Sequence, residues 1–167
     1  MKIAIISDTH DNLANLEKFL VIVEKEKIGG IIHCGDVTTP ETLEWLTEKF
    51  KGEIKLVCGN MEIRREEFAG VAEHHSNLEV FAEVGEWTLP IEGKDAKVAF
   101  MHRPNNTEEM AQTGQYAFVF YGHTHKPWIK QIGSVLVANP GTLGGVFTAP
   151  TYATIDTATG QLALHRL

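Results

Sequence analysis

Cysteine is scarce in this chain: Cys34 and Cys58 are the only two, too few for a disulfide framework. Each stands just before a glycine at the end of an apolar segment, which reads as a buried free thiol rather than part of a zinc-cysteine site. Long hydrophobic runs are also missing, so nothing reads as a bilayer span, and the first apolar stretch turns polar at Ser7 and Asp8, too soon for a signal peptide. A cytoplasmic protein with no membrane partner is therefore expected. Basic residues are outnumbered, 15 Lys and Arg against 22 Asp and Glu for a formal net charge of -7, which argues against an extended nucleic-acid footprint. A small phosphoester is not excluded, because bound divalent cations reverse the sign of an acidic site locally. Linkers, repeats and low-complexity tracts are absent too. With 43% hydrophobic residues, the 167-residue chain is expected to fold as a single domain over residues 1–167.

What is present is an alternation of short apolar runs and amphipathic stretches. Lys2 to Ile6 reads as a strand, and Leu13 to Lys27 carries Leu13, Leu16, Leu20 and Val23 at helical spacing, with Asp11 or Asn12 available as cap. The pattern repeats with Gly30 to His33, then a helix with Thr39 as cap and Pro40 at its first position, then Ile54 to Cys58. This predicts a βαβαβ unit with a parallel sheet. Beyond Asn60 the pattern changes: Ile63 to Gly70 reads as loop or short helix, and "IEGKDAKVAFM" as a hairpin turning around Gly93, Lys94 and Asp95. Thr107 to Thr113 predicts a short helix closed by Gly114, and the remainder predicts short strands in an antiparallel or mixed arrangement. The fold class is thus α/β.

Polar residues collect where these strands end. Ser7-Asp8-Thr9-His10 follows the first, Cys34-Gly35-Asp36 the second and Cys58-Gly59-Asn60 the third; His102 follows "VAFM", and Gly122-His123-Thr124-His125 follows "AFVFY". Taken singly, an Asp after a strand is a helix cap, a Gly-Asn pair is a turn and two loop histidines are surface residues. As a set, Asp8, His10, Asp36, Asn60, His102, His123 and His125 share no such structural role, and ligands bind at the carboxyl ends of strands in open α/β sheets. Seven nitrogen and oxygen donors exceed the four of a tetrahedral zinc site and suit a pair of borderline divalent ions. Two such ions about 3.5 to 4 Å apart hold a hydroxide between them and clamp a phosphoryl centre.

Asp8-x-His10, Gly35-Asp36, Gly59-Asn60, His102 and Gly122-His123-Thr124-His125, in this order and with Asn139-Pro140-Gly141-Thr142 beyond them, resemble the calcineurin-like metallophosphoesterase superfamily. The small size resembles its compact bacterial and archaeal phosphodiesterase family. The resemblance implies two mixed β-sheets packed as a sandwich flanked by helices. It implies one ion on Asp8, His10 and His125, the other on Asn60, His102 and His123, and Asp36 bridging them. Manganese is the expected metal, with iron, zinc, cobalt or nickel as alternatives. Asp36, Asn60 and His102 are the candidate catalytic residues of a phosphodiesterase in which a bridging hydroxide attacks phosphorus in line and Asn60 helps to stabilise the developing charge. The alternative is a non-catalytic interaction module, since the same fold resembles the small retromer subunit of eukaryotes.

Two departures from the family pattern concern the substrate. Met61 and Glu62 follow Asn60 where many larger members carry a histidine near the leaving group, so a general acid is missing and good leaving groups are expected to be favoured. Arg103-Pro104 replaces the small family's Gly-His after His102, and Arg103 is a candidate phosphate clamp. Glu62 reads as solvated, with support of a ligand residue as the alternative, Asp11 as a carboxylate near the site or a helix cap, and His33 as a satisfied, partly buried side chain. Trp45, Trp87 and Trp128 are explained by core packing or by a homo-oligomer interface.

Overall fold

A computed structural model describes residues 1–167. The chain opens with β1 (Lys2–Ile6), α1 (Leu13–Glu26), β2 (Ile28–His33), α2 (Pro40–Lys49), β3 (Glu53–Val57), α3 (Arg65–His74) and β4 (Leu78–Phe81). β1 to β4 pair in parallel in sequence order, so the expected βαβαβ unit is present and one strand longer. The stretch expected to be loop or short helix is α3, anchored by the buried Phe68 against the helical layer. Then follow β5 (Val84–Ile91), β6 (Lys94–Met101), α4 (Thr107–Gln112), β7 (Phe118–Tyr121), β8 (Trp128–Ile132), β9 (Val135–Asn139), β10 (Thr151–Asp156) and β11 (Gln161–Arg166). The first sheet runs β11-β10-β1-β2-β3-β4 and the second β5-β6-β7-β9-β8, both mixed. The β5–β6 turn lies slightly earlier than expected: Ile91 pairs with Lys94, leaving Glu92 and Gly93, both with positive φ as a tight two-residue hairpin requires.

Strand alternation sorts the apolar residues into layers. Ile3 and Ile5 of β1 face the second sheet, where they meet Val98, Phe100, Phe118 and Phe120, all buried. Ala4 and Ile6 point the other way, into a layer with Leu16, Phe19, Leu43 and Leu46 from α1 and α2. A smaller cluster of Ala99, Met101, Val119 and Tyr121 packs under Ala111 of α4 on the outer face of the second sheet. The central strands are therefore buried on both faces, which is why they read as continuous apolar runs rather than alternating ones. A fully buried Phe or Ile contributes roughly 1.5–3 kcal/mol, and this double layer anchors the strand ends that carry the polar residues. Asn12 caps α1 by accepting from the Asn15 amide at 3.1 Å. Asp11 does not cap α1 but is the carboxylate near the site, acting electrostatically on His10. Its carboxylate accepts from the Thr39 amide and hydroxyl at 3.2 and 2.8 Å, fastening the entry to α2. No helix is long and apolar enough to cross a membrane.

Candidate metal centre

The two sheets present the carboxyl ends of β1, β2, β3, β6 and β7 to one edge of the sandwich, and all seven candidate donors meet there. His125 Nε2 lies 3.1 Å from Asp8 Oδ1 and 3.3 Å from His10 Nε2. On the other side His102 Nε2 lies 2.9 Å from Asn60 Oδ1, 3.2 Å from His123 Nδ1 and 3.4 Å from Asp36 Oδ1. Two carboxylate–imidazole groups, Asp8/His10/His125 and Asp8/Asp36/His102, each have their donor atoms within 4.8 Å of one another. Asp8 is common to both.

The backbone reaches this arrangement through conformations that side chains other than glycine rarely adopt. Asp8, His10, Asp36, His123 and His125 have φ of 52°, 45°, 58°, 64° and 58°. Each such residue costs about 1–3 kcal/mol and persists only where its surroundings impose it. Those surroundings are visible. Asp8 N–H donates to Gly35 O and His10 N–H to Asp36 O, at 2.9 and 3.1 Å, tying the first loop to the second. Thr142 Oγ1 donates to Asp8 O at 2.8 Å, and Asn139 Nδ2 donates to Gly122 O at 2.7 Å, so the Asn-Pro-Gly-Thr segment holds the loops that carry Asp8 and His123. Gly35 packs so closely that a Cβ there would stand 2.7 Å from His102 Nδ1, and its φ of 92° is itself left-handed.

Glu62 overturns the expectation of a solvated side chain. It is 1% exposed, and its carboxylate accepts from the amides of Asp36, Thr38 and Gly59 at 2.9, 2.9 and 2.5 Å. Burial still pushes its pKa upward against those three bonds. His33 is fully rather than partly buried: Nδ1 accepts from Gly35 N–H at 3.2 Å, leaving Nε2–H to donate to Thr9 Oγ1 at 3.2 Å. Desolvation pushes its pKa down to about 3, so it is a neutral pin between the first and second loops.

The donor set fits divalent cations. His102 Nδ1 lies 2.8 Å from Cys34 O and His125 Nδ1 3.3 Å from Val146 O; donation to these carbonyls leaves each Nε2 lone pair facing the carboxylates. Burial lowers the pKa of His10 and His102, favouring the neutral imidazole that binds metal. Asp8 is 0% exposed, and burial pushes its pKa up to about 7, opposed by the Ser7 hydroxyl and by His125. A carboxylate and several imidazole lone pairs crowded this way repel one another unless a cation stands between them. Cys34 and Cys58 are buried free thiols whose pKa values burial raises, that of Cys58 to about 11, so neither joins the donor set. Arg103 is exposed and lines a cavity of about 320 Å³ that shares Asn60 and His102 with the centre.

Residues 1–160 match the family model of the calcineurin-like phosphoesterase superfamily domain. The chain belongs to this superfamily. Phosphodiesterase MJ0936 of Methanocaldococcus jannaschii is 31% identical to this superfamily member over 163 residues, covering 94% of this chain and 93% of that protein. The solved structure of an archaeal phosphodiesterase superimposes with a TM-score of 0.89 at 28% identity, covering 100% of both chains. Vps29 of Entamoeba histolytica, solved in complex with zinc, shares the fold with a TM-score of 0.67 at 16% identity, over 100% of this chain and 98% of that one. The chain is therefore a metal-dependent phosphoesterase by family, and the α/β sandwich implied by the resemblance is the one observed.

Proposed function

We propose that residues 1–167 act as one domain that hydrolyses small phosphodiesters at a dinuclear centre. Asp8, His10 and His125 would hold one ion, Asn60, His102 and His123 the other, and Asp36 would be shared. The observation that carries this reading is the convergence of Asp8, Asp36, Asn60 and four histidines on a single edge, with ring nitrogens and carboxylate oxygens 3.1 to 3.9 Å apart and His102 Nε2 2.9 Å from the Asn60 amide oxygen. Divalent ions in this place, manganese first among the candidates, would supply a hydroxide for in-line attack and neutralise the phosphoryl oxygens. The chain's own residues do the positioning. His102 is held by Cys34 O, Asp36 by the Met61 amide at 2.9 Å, and Asn60 stands exposed at the rim where a substrate oxygen arrives.

Proton delivery to the leaving group is the weak step of this machine. Met61 has no proton to give, and Glu62 is buried with its carboxylate committed to three amides. Esters whose leaving groups need little protonation are therefore preferred. The test is hydrolysis of bis(4-nitrophenyl) phosphate beside 4-nitrophenyl phosphate by chelator-stripped protein, with and without added manganese. Turnover only with metal, faster on the diester, is the expected result. Stoichiometric metal binding with no turnover on either ester, under manganese, iron, zinc, cobalt or nickel, would overturn it in favour of an interaction module on the same fold.

A further inference from the structure

The cavity beside the centre contains two arginines that the proposed reaction does not use together. Its inner wall is Asn60 and His102, its floor includes Cys58 and Met101, and its cations are Arg65, first residue of α3, and Arg103. Neither guanidinium pairs with a carboxylate; the arginine ion pair of this chain is Arg64 with Glu67. Both are solvent-exposed, and so is Glu83, the carboxylate on the same wall. In a chain of net charge -7, two cations against one anion on a single wall run counter to the rest of the surface. A volume of about 320 Å³ is within the size of small-molecule sites, and an apolar floor below a cationic rim suits a body with an anionic tip.

We infer that this cavity receives one ester arm of the substrate, and that the arm carries a second anionic group, phosphate or carboxylate, held by Arg65 and Arg103. The inference rests on the phosphodiesterase reading, because the arm enters the cavity only when the scissile phosphate sits against Asn60 and His102. Planar guanidinium forks on two different elements, α3 and the loop after β6, close on the tip from two directions. Specificity then resides in the charge of the arm rather than in the reacting phosphate, which any phosphodiester supplies.

The test compares adenosine 3′,5′-bisphosphate with adenosine 5′-monophosphate on manganese-loaded protein. Each is measured as a competitive inhibitor of bis(4-nitrophenyl) phosphate hydrolysis and by equilibrium binding. The bisphosphate is expected to bind about tenfold more tightly, the size of one charged hydrogen-bonded contact. The double substitution Arg65→Gln, Arg103→Gln should bring the two ligands to within about twofold, and Glu83→Gln should widen the preference. Equal affinities in the unaltered protein, or a preference that survives the double substitution, overturn the inference. Turnover without preference overturns the pocket and leaves the phosphodiesterase reading standing; preference in binding without turnover overturns that reading and keeps the pocket.

Discussion

The two ends of the sandwich are built by opposite rules. At the edge that gathers the candidate metal donors, five of these residues lie in the left-handed region, three carboxylates and two imidazoles are buried, and side chains reach across from one loop to the backbone of another. At the far edge, strands are joined by short turns at Glu92–Gly93, Gly133 and Thr157–Gly160, with glycines where φ is positive. Lys27, closing α1 with a φ of 55°, and Glu92 are the non-glycine residues strained there. Strain and burial of charge destabilise, so the donor edge persists because the shared double-layered core and the ring formed by Glu62, His33, Asn139 and Thr142 offset them. The difference separates what keeps the fold from what the fold is for.

Substitutions can test that separation, starting at the donor edge. Asp36→Asn should lower metal-dependent turnover by about 10²–10³-fold or more, while circular dichroism stays that of the unaltered protein. Retained turnover would mean that the strained edge is not where the chemistry happens. Glu62→Ala strips three buried amides of their acceptor and should destabilise by about 3 kcal/mol in urea unfolding, with a loss of metal affinity measured by titration. A variant as stable as the original would show that the ring is ornamental.

His33 predicts a dependence on acidity. Its folded pKa is about 3 against about 6.5 unfolded, so below pH 6.5 the unfolded chain takes up a proton that the folded chain refuses. Its contribution is therefore whole above pH 6.5 and lost as pH falls toward 3. About 2 kcal/mol should disappear between pH 7 and pH 5, and His33→Gln should remove that component from the slope. An unchanged slope would show that the imidazole is protonated in the folded state. The smallest effect is expected at the far edge. Lys27→Gly relieves a left-handed helix end and should raise stability by about 0.5 kcal/mol without changing turnover. Altered turnover there would mean that the two edges are coupled.

The sequence carried the donors more clearly than it carried their supports. That Asp8, His10, Asp36, Asn60, His102, His123 and His125 gather on one edge was legible because polar residues ending apolar runs are conspicuous and strand direction sends them there. Helix α2 was legible for a local reason, Thr39 followed by Pro40. Glu62 was misread because a carboxylate in a charged stretch looks solvated; its partners are backbone amides, which have no sequence signature. The role of Asp11 in fastening α2 escaped notice for the same kind of reason, its partner Thr39 lying on another loop. The turn between β5 and β6 was off by a position because Glu92 gives no hint of accepting a positive φ.

β1 pairs in parallel with β2 and antiparallel with β10, so the second strand of the chain and the second-last are its immediate neighbours. Lys2 faces Asp156, and the Thr157 amide donates to Met1 O at 2.9 Å. During synthesis β1 to β4 emerge long before the strand that covers the other edge of β1, leaving an apolar edge open to pairing with other chains. Contacts this distant in sequence also make folding slow. The strand Thr151 to Asp156 thus closes the edge that β1 leaves open, and the chain is most vulnerable to aggregation while Asp8 and His10 have been made and that strand has not.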